Sequence, residues 1–166
     1  MSESDLLASI RTRWGALITE ACHASSVPEA FLASLIANES GGKPDATRYE
    51  PTIFKRLQVK HPEWDGERLT NNATSWGLTQ ILGINYPGNP VELADPSTNL
   101  RYAITMLAKF AERYDLNLAC DFEELFHCWN TGVPCDPPAT YDPNYVPLGL
   151  KRIETWNTLS LPYPSS

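Results

Sequence analysis

The apolar residues of this chain recur at helical spacing almost from end to end. Leu6, Ile10, Trp14, Leu17 and Ile18 make one stripe, which predicts a first helix from Ser4 to about Ala24. Pro28 suits the first turn of a second helix, where its missing N–H would be unpaired anyway. Phe31, Leu32, Leu35 and Ile36 then form a buried stripe, and Gly41-Gly42 stops the helix. A short helix is expected over 53–59, followed by a polar loop containing Asn71 and Asn72. Residues 75–84 read as a turn entering another short helix. Asp95-Pro96 is a strong helix start, and Leu100, Ala103, Ile104, Leu107, Ala111 and Tyr114 continue it as a clean stripe. Asp121 with Glu124 makes a capping-box pattern ahead of Phe122, Leu125, Phe126 and Trp129. Thr131-Gly132-Val133-Pro134 ends that helix, and after a Pro-rich loop a last helix carries Leu150, Ile153 and Trp156. Alternating strand patterns are nearly absent. The expected class is all-α, with room for a small hairpin in 60–74.

One carboxylate stands out in this pattern. Glu39 lies four residues after Leu35 and three after Ile36, so it projects from the apolar face of its helix. Desolvation at the edge of a core disfavours the charged form and raises the pKa, as a general acid near neutral pH requires.

Length and composition narrow the remaining classes. The 166 residues suffice for one domain with a sizeable core, and 42% hydrophobic with 20% charged residues is a globular balance. The formal net charge of -7 argues against nucleic acid or an anionic membrane as partner. No apolar run reaches the roughly 20 residues of a membrane span. Met1-Ser2-Glu3-Ser4-Asp5 lacks a signal-peptide core. Cys22, Cys120, Cys128 and Cys135 match no zinc spacing, so neither a metal nor another cofactor is expected. The last three lie close enough in sequence for one local disulfide, and free buried thiols are an equal expectation.

Three short motifs join a glycine turn to polar side chains: Glu39-Ser40-Gly41-Gly42, Ser75-Trp76-Gly77-Leu78-Thr79-Gln80-Ile81 and Cys128-Trp129-Asn130-Thr131-Gly132. Gln80 and Asn130 each carry a donor and an acceptor, which suits sugar hydroxyls and N-acetyl groups. Trp76 and Trp129 offer flat apolar faces for sugar rings. In this order, with Asp95-Pro96-Ser97-Thr98-Asn99 and Tyr145-Val146, the motifs resemble those of soluble lytic transglycosylases and goose-type lysozymes, peptidoglycan-cleaving members of the lysozyme superfamily. The resemblance covers about residues 28–156. Arg48-Tyr49-Glu50-Pro51 looks like an arm found after the catalytic Glu in a phage- or prophage-associated branch.

That resemblance implies a single lysozyme-like domain over 1–166, acting as a monomer on peptidoglycan glycan strands. It would work in the periplasm or outside the cell, or be released at lysis if phage-encoded. Glu39 would be the general acid and later the base. Gln80 and the Gly77–Leu78 backbone would line the groove beside the cleaved bond. Asn130 would hold the Glu39 side of the site or an N-acetyl group, and Tyr145 would sit near Glu39 or shape the cleft floor. The chain departs from the family pattern in four places: Thr79 stands for the usual Met, Trp129 for the usual Tyr, Thr47-Arg48 where many relatives place a Ser, and Tyr141 where some relatives carry a second Glu.

Most glycoside cleavage takes two carboxylates, but lytic transglycosylases use one, because the muramic acid 6-hydroxyl attacks its own anomeric carbon. A hydrolytic muramidase or chitinase-like enzyme would need a second carboxylate. Glu50 is the first candidate, ahead of Asp45 and Asp142, although a Glu before Pro51 also suits a helix N-terminus. A peptidoglycan-binding or virion module without catalysis is the non-enzyme alternative, against which the retained Glu39 argues.

Overall fold

The computed structural model describes residues 1–135 and 142–159. Its helices are α1 (Glu3–Cys22), α2 (Glu29–Ser40), α3 (Pro51–Lys60), α4 (Gly66–Asn72), α5 (Pro96–Tyr114), α6 (Phe122–Thr131) and α7 (Tyr145–Thr158). The strands β1 (Thr47–Tyr49), β2 (Thr74–Trp76) and β3 (Ile81–Leu82) pair antiparallel in the order β1-β2-β3. The fold is thus mainly helical with one small sheet, in agreement with the sequence pattern.

α2 is the centre of the molecule. All eight residues from Ala30 to Ala37 are buried, so the helix is enclosed on every side and not on a single stripe. α7 and α1 pack against it. Phe31 stacks on Phe122, with ring centroids 5.4 Å apart, and meets Phe126 at 4.6 Å. Gly149 of α7 leaves room for that ring, since a Cβ there would lie 2.6 Å from Phe126 Cζ. A second, smaller apolar cluster joins Leu57, Leu69 and Ala73 with Ile53, Phe54, Trp64 and Ile84.

Several local expectations are corrected. α1 begins one residue early because Ser2 accepts from the Asp5 amide while the Asp5 carboxylate accepts from the Ser2 amide, a complete capping box. α3 begins at Pro51, two residues early, with proline at its first position. Asn71 and Asn72 lie in α4 and not in a loop; Asp65 accepts from the Arg68 amide and starts that helix. No hairpin forms in 60–74. The sheet instead joins 47–49, 74–76 and 81–82, and only after β3 does a 3-10 helix (Gly83–Asn85) follow. Strands of two or three residues are too short to show alternation. The Asp121 box also fails to form, because Asp121 Oδ2 accepts from the Asn117 amide at 2.6 Å in the preceding turn. All four cysteines are free, Cys22 and Cys128 buried, Cys120 and Cys135 exposed. Tyr141 and most of the Pro-rich loop lie outside the described residues.

The β2–β3 turn governs the position of the site. Gly77 has φ +77°, and a Cβ there would fall 2.5 Å from both Asn99 Nδ2 and the Leu93 carbonyl. Glycine is therefore required for backbone angle and for space. Asn99, fully buried on α5, threads the turn. Its Nδ2 donates to the Trp76 and Leu93 carbonyls at 2.8 and 3.0 Å, and its Oδ1 accepts from the Thr79 amide and hydroxyl at 3.0 and 2.6 Å. Gln80 closes the turn at φ +53°, a left-handed conformation uncommon for a residue with a side chain.

Candidate active site

The end of α2 delivers Glu39 to a cleft of about 500 Å³ whose walls come from the helices and from the sheet. Arg48, Ser75 and Leu82 form one cross-strand row, and all three line it. Glu50, two residues on from Arg48, shares that side by the strand's period of two, and Arg48 Nε donates to Glu50 Oε1 at 2.7 Å. Gln80, Met106, Trp129, Asn130, Asp142 and Tyr145 complete the chemically notable lining. A second concavity of about 540 Å³ lies between α4 and residues 84–90. Its Asp65 caps α4 and its Glu67 is exposed, so the buried acid chemistry belongs to the first.

Burial pushes the Glu39 carboxyl up to about 7, and two neighbours oppose that rise. The Tyr145 hydroxyl donates to Glu39 Oε2 at 2.5 Å, and the Arg48 guanidinium favours the charged form. Desolvation is the larger effect, so Glu39 can keep its proton near neutral pH. Tyr145 is buried as well, and its own hydroxyl is pushed well above the usual tyrosine range, first by burial and then by the adjacent carboxylate. It therefore donates and stays neutral. The ring is held by Phe126, edge-on at 6.2 Å.

Residues next to Glu39 fix the turn beside it. The Ser40 hydroxyl donates to the Leu78 carbonyl at 2.7 Å, which fastens the end of α2 to the β2–β3 turn. Gln80 Nε2 donates to the carbonyls of Ala46 and Gly77 at 2.9 and 3.0 Å. This leaves Gln80 Oε1 as the amide atom without a protein partner among the described residues. Trp129 Nε1 donates to the Thr79 carbonyl at 3.1 Å, which ties α6 to the same turn.

The structure thus brings Glu39, Glu50, Gln80, Trp129, Asn130 and Tyr145 to one cleft. It places Trp76, Gly77 and Leu78 behind that wall. Trp76 Nε1 donates to the Asn71 carbonyl, Leu78 is fully buried, and Gly77 faces Asn99. Thr79 is not part of the cleft wall either. It is fully buried, with its hydroxyl on Asn99. Asp45 is exposed and outside the cleft lining, whereas Asp142 stands on its rim, accepting from the Asn144 amide at 2.9 Å. Sequence reasoning gave no functional weight to Asn38, Asn85 or Met106, which also line the cleft, nor to Arg152 behind it.

This arrangement, a helix end presenting one desolvated carboxyl to an open polar groove, is suited to protonating a leaving oxygen on an extended chain. Residues 16–132 match the Transglycosylase SLT domain, more than half of the chain, and the protein belongs to that family. It is a peptidoglycan lytic transglycosylase-type enzyme, so its substrate is peptidoglycan and its place of action is extracellular or periplasmic. No match to the chain is found among curated proteins or among solved structures. Among the described residues no helix is long and apolar enough to cross a membrane.

Proposed function

We propose that Glu39 is the acid and then the base in cleavage of the MurNAc–GlcNAc β-1,4 bond, and that the product ends in 1,6-anhydro-MurNAc. The protonated carboxyl gives its proton to the glycosidic oxygen as the C1–O bond breaks. The muramic 6-hydroxyl then forms the new bond to C1, and its proton returns to the Glu39 carboxylate. Intramolecular attack removes the need to position a water. One domain acting as a monomer suffices for this chemistry, and a phage-encoded form released at lysis fits it equally.

The observation that carries this reading is the contrast among the cleft carboxylates. Glu39 has its proton affinity raised to near neutrality by burial, whereas Glu50 is engaged by Arg48 and Asp142 is exposed on the rim. Arg48 is also the one cation lining the cleft among the described residues. It suits the carboxylates that peptidoglycan carries and chitin lacks, which supports a muramyl substrate. Glu50 lies in the same cleft and supports the second reading, a hydrolase in which Glu50 activates water.

A pH–rate profile on purified peptidoglycan tests the assignment of the acid. Since Glu39 must enter the reaction protonated, kcat/KM is expected to fall about tenfold per pH unit above about 7. A profile that stays flat to pH 9 contradicts it. Asn130 offers a complementary check. It is exposed and its side chain makes no hydrogen bond within the described residues, so Asn130→Ala should leave the unfolding midpoint in place. If it grips an N-acetyl group or hydroxyl, kcat/KM falls by about five- to tenfold, the effect of one neutral hydrogen bond. Unchanged kinetics would remove Asn130 from the substrate site.

A further inference from the structure

Behind the Glu39–Tyr145 pair lies a chain of polar contacts that the chemistry above does not use. Asn38 and Glu39 are consecutive, so they point about 100° apart around α2. Glu39 meets the cleft and the Tyr145 hydroxyl. Asn38 turns to the backbone of α7: its Nδ2 donates to the Tyr145 carbonyl at 3.0 Å, and its Oδ1 accepts from Arg152 Nη1 at 2.8 Å. Arg152 follows Tyr145 by seven residues, two turns on the same face of α7. It is buried, and its guanidinium reaches Glu3 in bidentate fashion, Nε to Oε2 at 2.7 Å and Nη2 to Oε1 at 3.1 Å. The first turn of α1, the last turn of α2 and the face of α7 are therefore joined by one four-bond network.

The start of α7 needs such a fastening. Asn144 stands at the cap position and makes no side-chain cap bond, and Tyr145 is the first residue of the helix. The local fastening among the described residues is the Asp142 turn, which accepts from the Asn144 and Tyr145 amides at 2.9 and 3.2 Å, and a small rotation of the helix about it would move the Tyr145 hydroxyl off the carboxylate. We propose that Arg152, held by Glu3 and by Asn38, is a positioning residue that sets the Tyr145 hydroxyl against Glu39. A buried ion pair contributes little net stability when compared with apolar packing, but it fixes register well because its geometry is directional. Four residues are thereby given one role: Glu3 orients Arg152, Arg152 orients Asn38, Asn38 holds the Tyr145 backbone, and Tyr145 tunes the acid.

The consequence is read at Glu39. A hydrogen bond to a carboxylate favours its charged form, so loss of the Tyr145 bond raises the proton affinity of Glu39 and moves the basic limb of the pH–rate profile upward. Among the described residues, the charged and titratable groups around Glu39 are Tyr145 from α7, Arg48 and Glu50 from β1 and its end, and Asp142 on the rim. α5, α6 and β3 bring only neutral side chains to the cleft, such as Met106, Trp129, Asn130, Ile81 and Leu82. Arg152 bonds to none of these groups directly; its contacts are Glu3 and Asn38, so it reaches Glu39 only through Asn38 and Tyr145.

The test is a double-mutant cycle between Arg152→Met and Tyr145→Phe, read as kcat/KM against pH on purified peptidoglycan. Tyr145→Phe should lower kcat/KM by about ten- to a hundredfold, the effect of one hydrogen bond to a charged group, and shift the basic limb upward. Arg152→Met should shift the limb in the same direction, Arg152→Lys should restore it in part, and Arg152→Met should add nothing to the limb position once Tyr145 is Phe. If Arg152→Met leaves the limb in place, or shifts it by the same amount in the Tyr145→Phe background, the positioning role is overturned and Arg152 is structural only. Where Arg152→Met does not fold, Glu3→Gln replaces it in the cycle under the same criteria, because Glu3 is partly exposed and keeps one acceptor for Arg152. The inference rests on Glu39 as the acid. Full activity of Glu39→Gln would remove that premise, whereas an additive cycle with an inactive Glu39→Gln overturns the positioning role alone.

Discussion

Glu39→Gln should leave a folded protein with essentially no lytic activity. Gln keeps the shape and can still accept from the Tyr145 hydroxyl, but it has no proton to give and cannot take one back. Loss of a general acid lowers rates by about 10²–10⁴, and more where one group serves in both steps. The substitution also has a signature in stability. The folded-state pKa of Glu39 is raised above its ordinary value to about 7. The contribution of this group is therefore fully present below the ordinary carboxyl range and is lost as pH rises through about 7. The parent should lose stability relative to Glu39→Gln between pH 5 and pH 8, as read by urea unfolding at each pH. Near-normal turnover in Glu39→Gln, measured on purified cell walls, would falsify the assignment of the acid.

Asn99→Ala should remove both stability and activity, although Asn99 never meets the cleft. Its side chain satisfies the Thr79 amide and hydroxyl and the Trp76 and Leu93 carbonyls, all at the buried root of the β2–β3 turn. Each buried group left unpaired costs roughly 1–3 kcal/mol, and the four are too close for their costs to add simply. A loss of about 3 kcal/mol or more in urea unfolding is expected. Activity should fall further than stability alone explains, because the same turn carries Gln80 and receives the Ser40 and Trp129 bonds. Gly77→Ala acts on the same joint from the other side, with its Cβ driven against Asn99. Parental stability in both variants would mean that the turn is held by something other than Asn99.

These two residues also mark what the sequence could and could not disclose. Glu39 was legible because an apolar run, a carboxylate and a glycine stop lie in a single helix, where periodicity fixes which way each side chain faces. Asn99 was visible as part of a helix-start motif, but its function depends on a turn about 20 residues away. In sequence, the motif Ser75–Ile81 reads as a substrate wall. Most of it is instead the framework behind the wall, because Trp76, Leu78 and Thr79 turn inward to Asn71, the core and Asn99. Glycine motifs mark tight backbone, and tight backbone serves packing as often as ligands.

The small sheet was misplaced for a similar reason. Its strands hold two or three residues, and their pairing is set by the left-handed turn at Gly77 and Gln80, not by alternation. α4 shows no clear stripe because it is short and carries the weak helix formers Asn71 and Asn72, and the Asp65 cap that starts it is a single side chain. Asn38 and Arg152 left no signal at all. Their contact spans 114 residues, and neither stands in a motif. Tyr145 was reached only through family resemblance, since its partner Glu39 lies 106 residues away.

The most direct test of the central claim is a mass spectrum of the fragments released from purified peptidoglycan. One buried acid acting with the substrate's own 6-hydroxyl predicts muropeptides ending in 1,6-anhydro-MurNAc, each lighter by one water than its hydrolysed counterpart. Fragments ending in free reducing sugars would contradict the account and make Glu50, across the same cleft, the water-activating base.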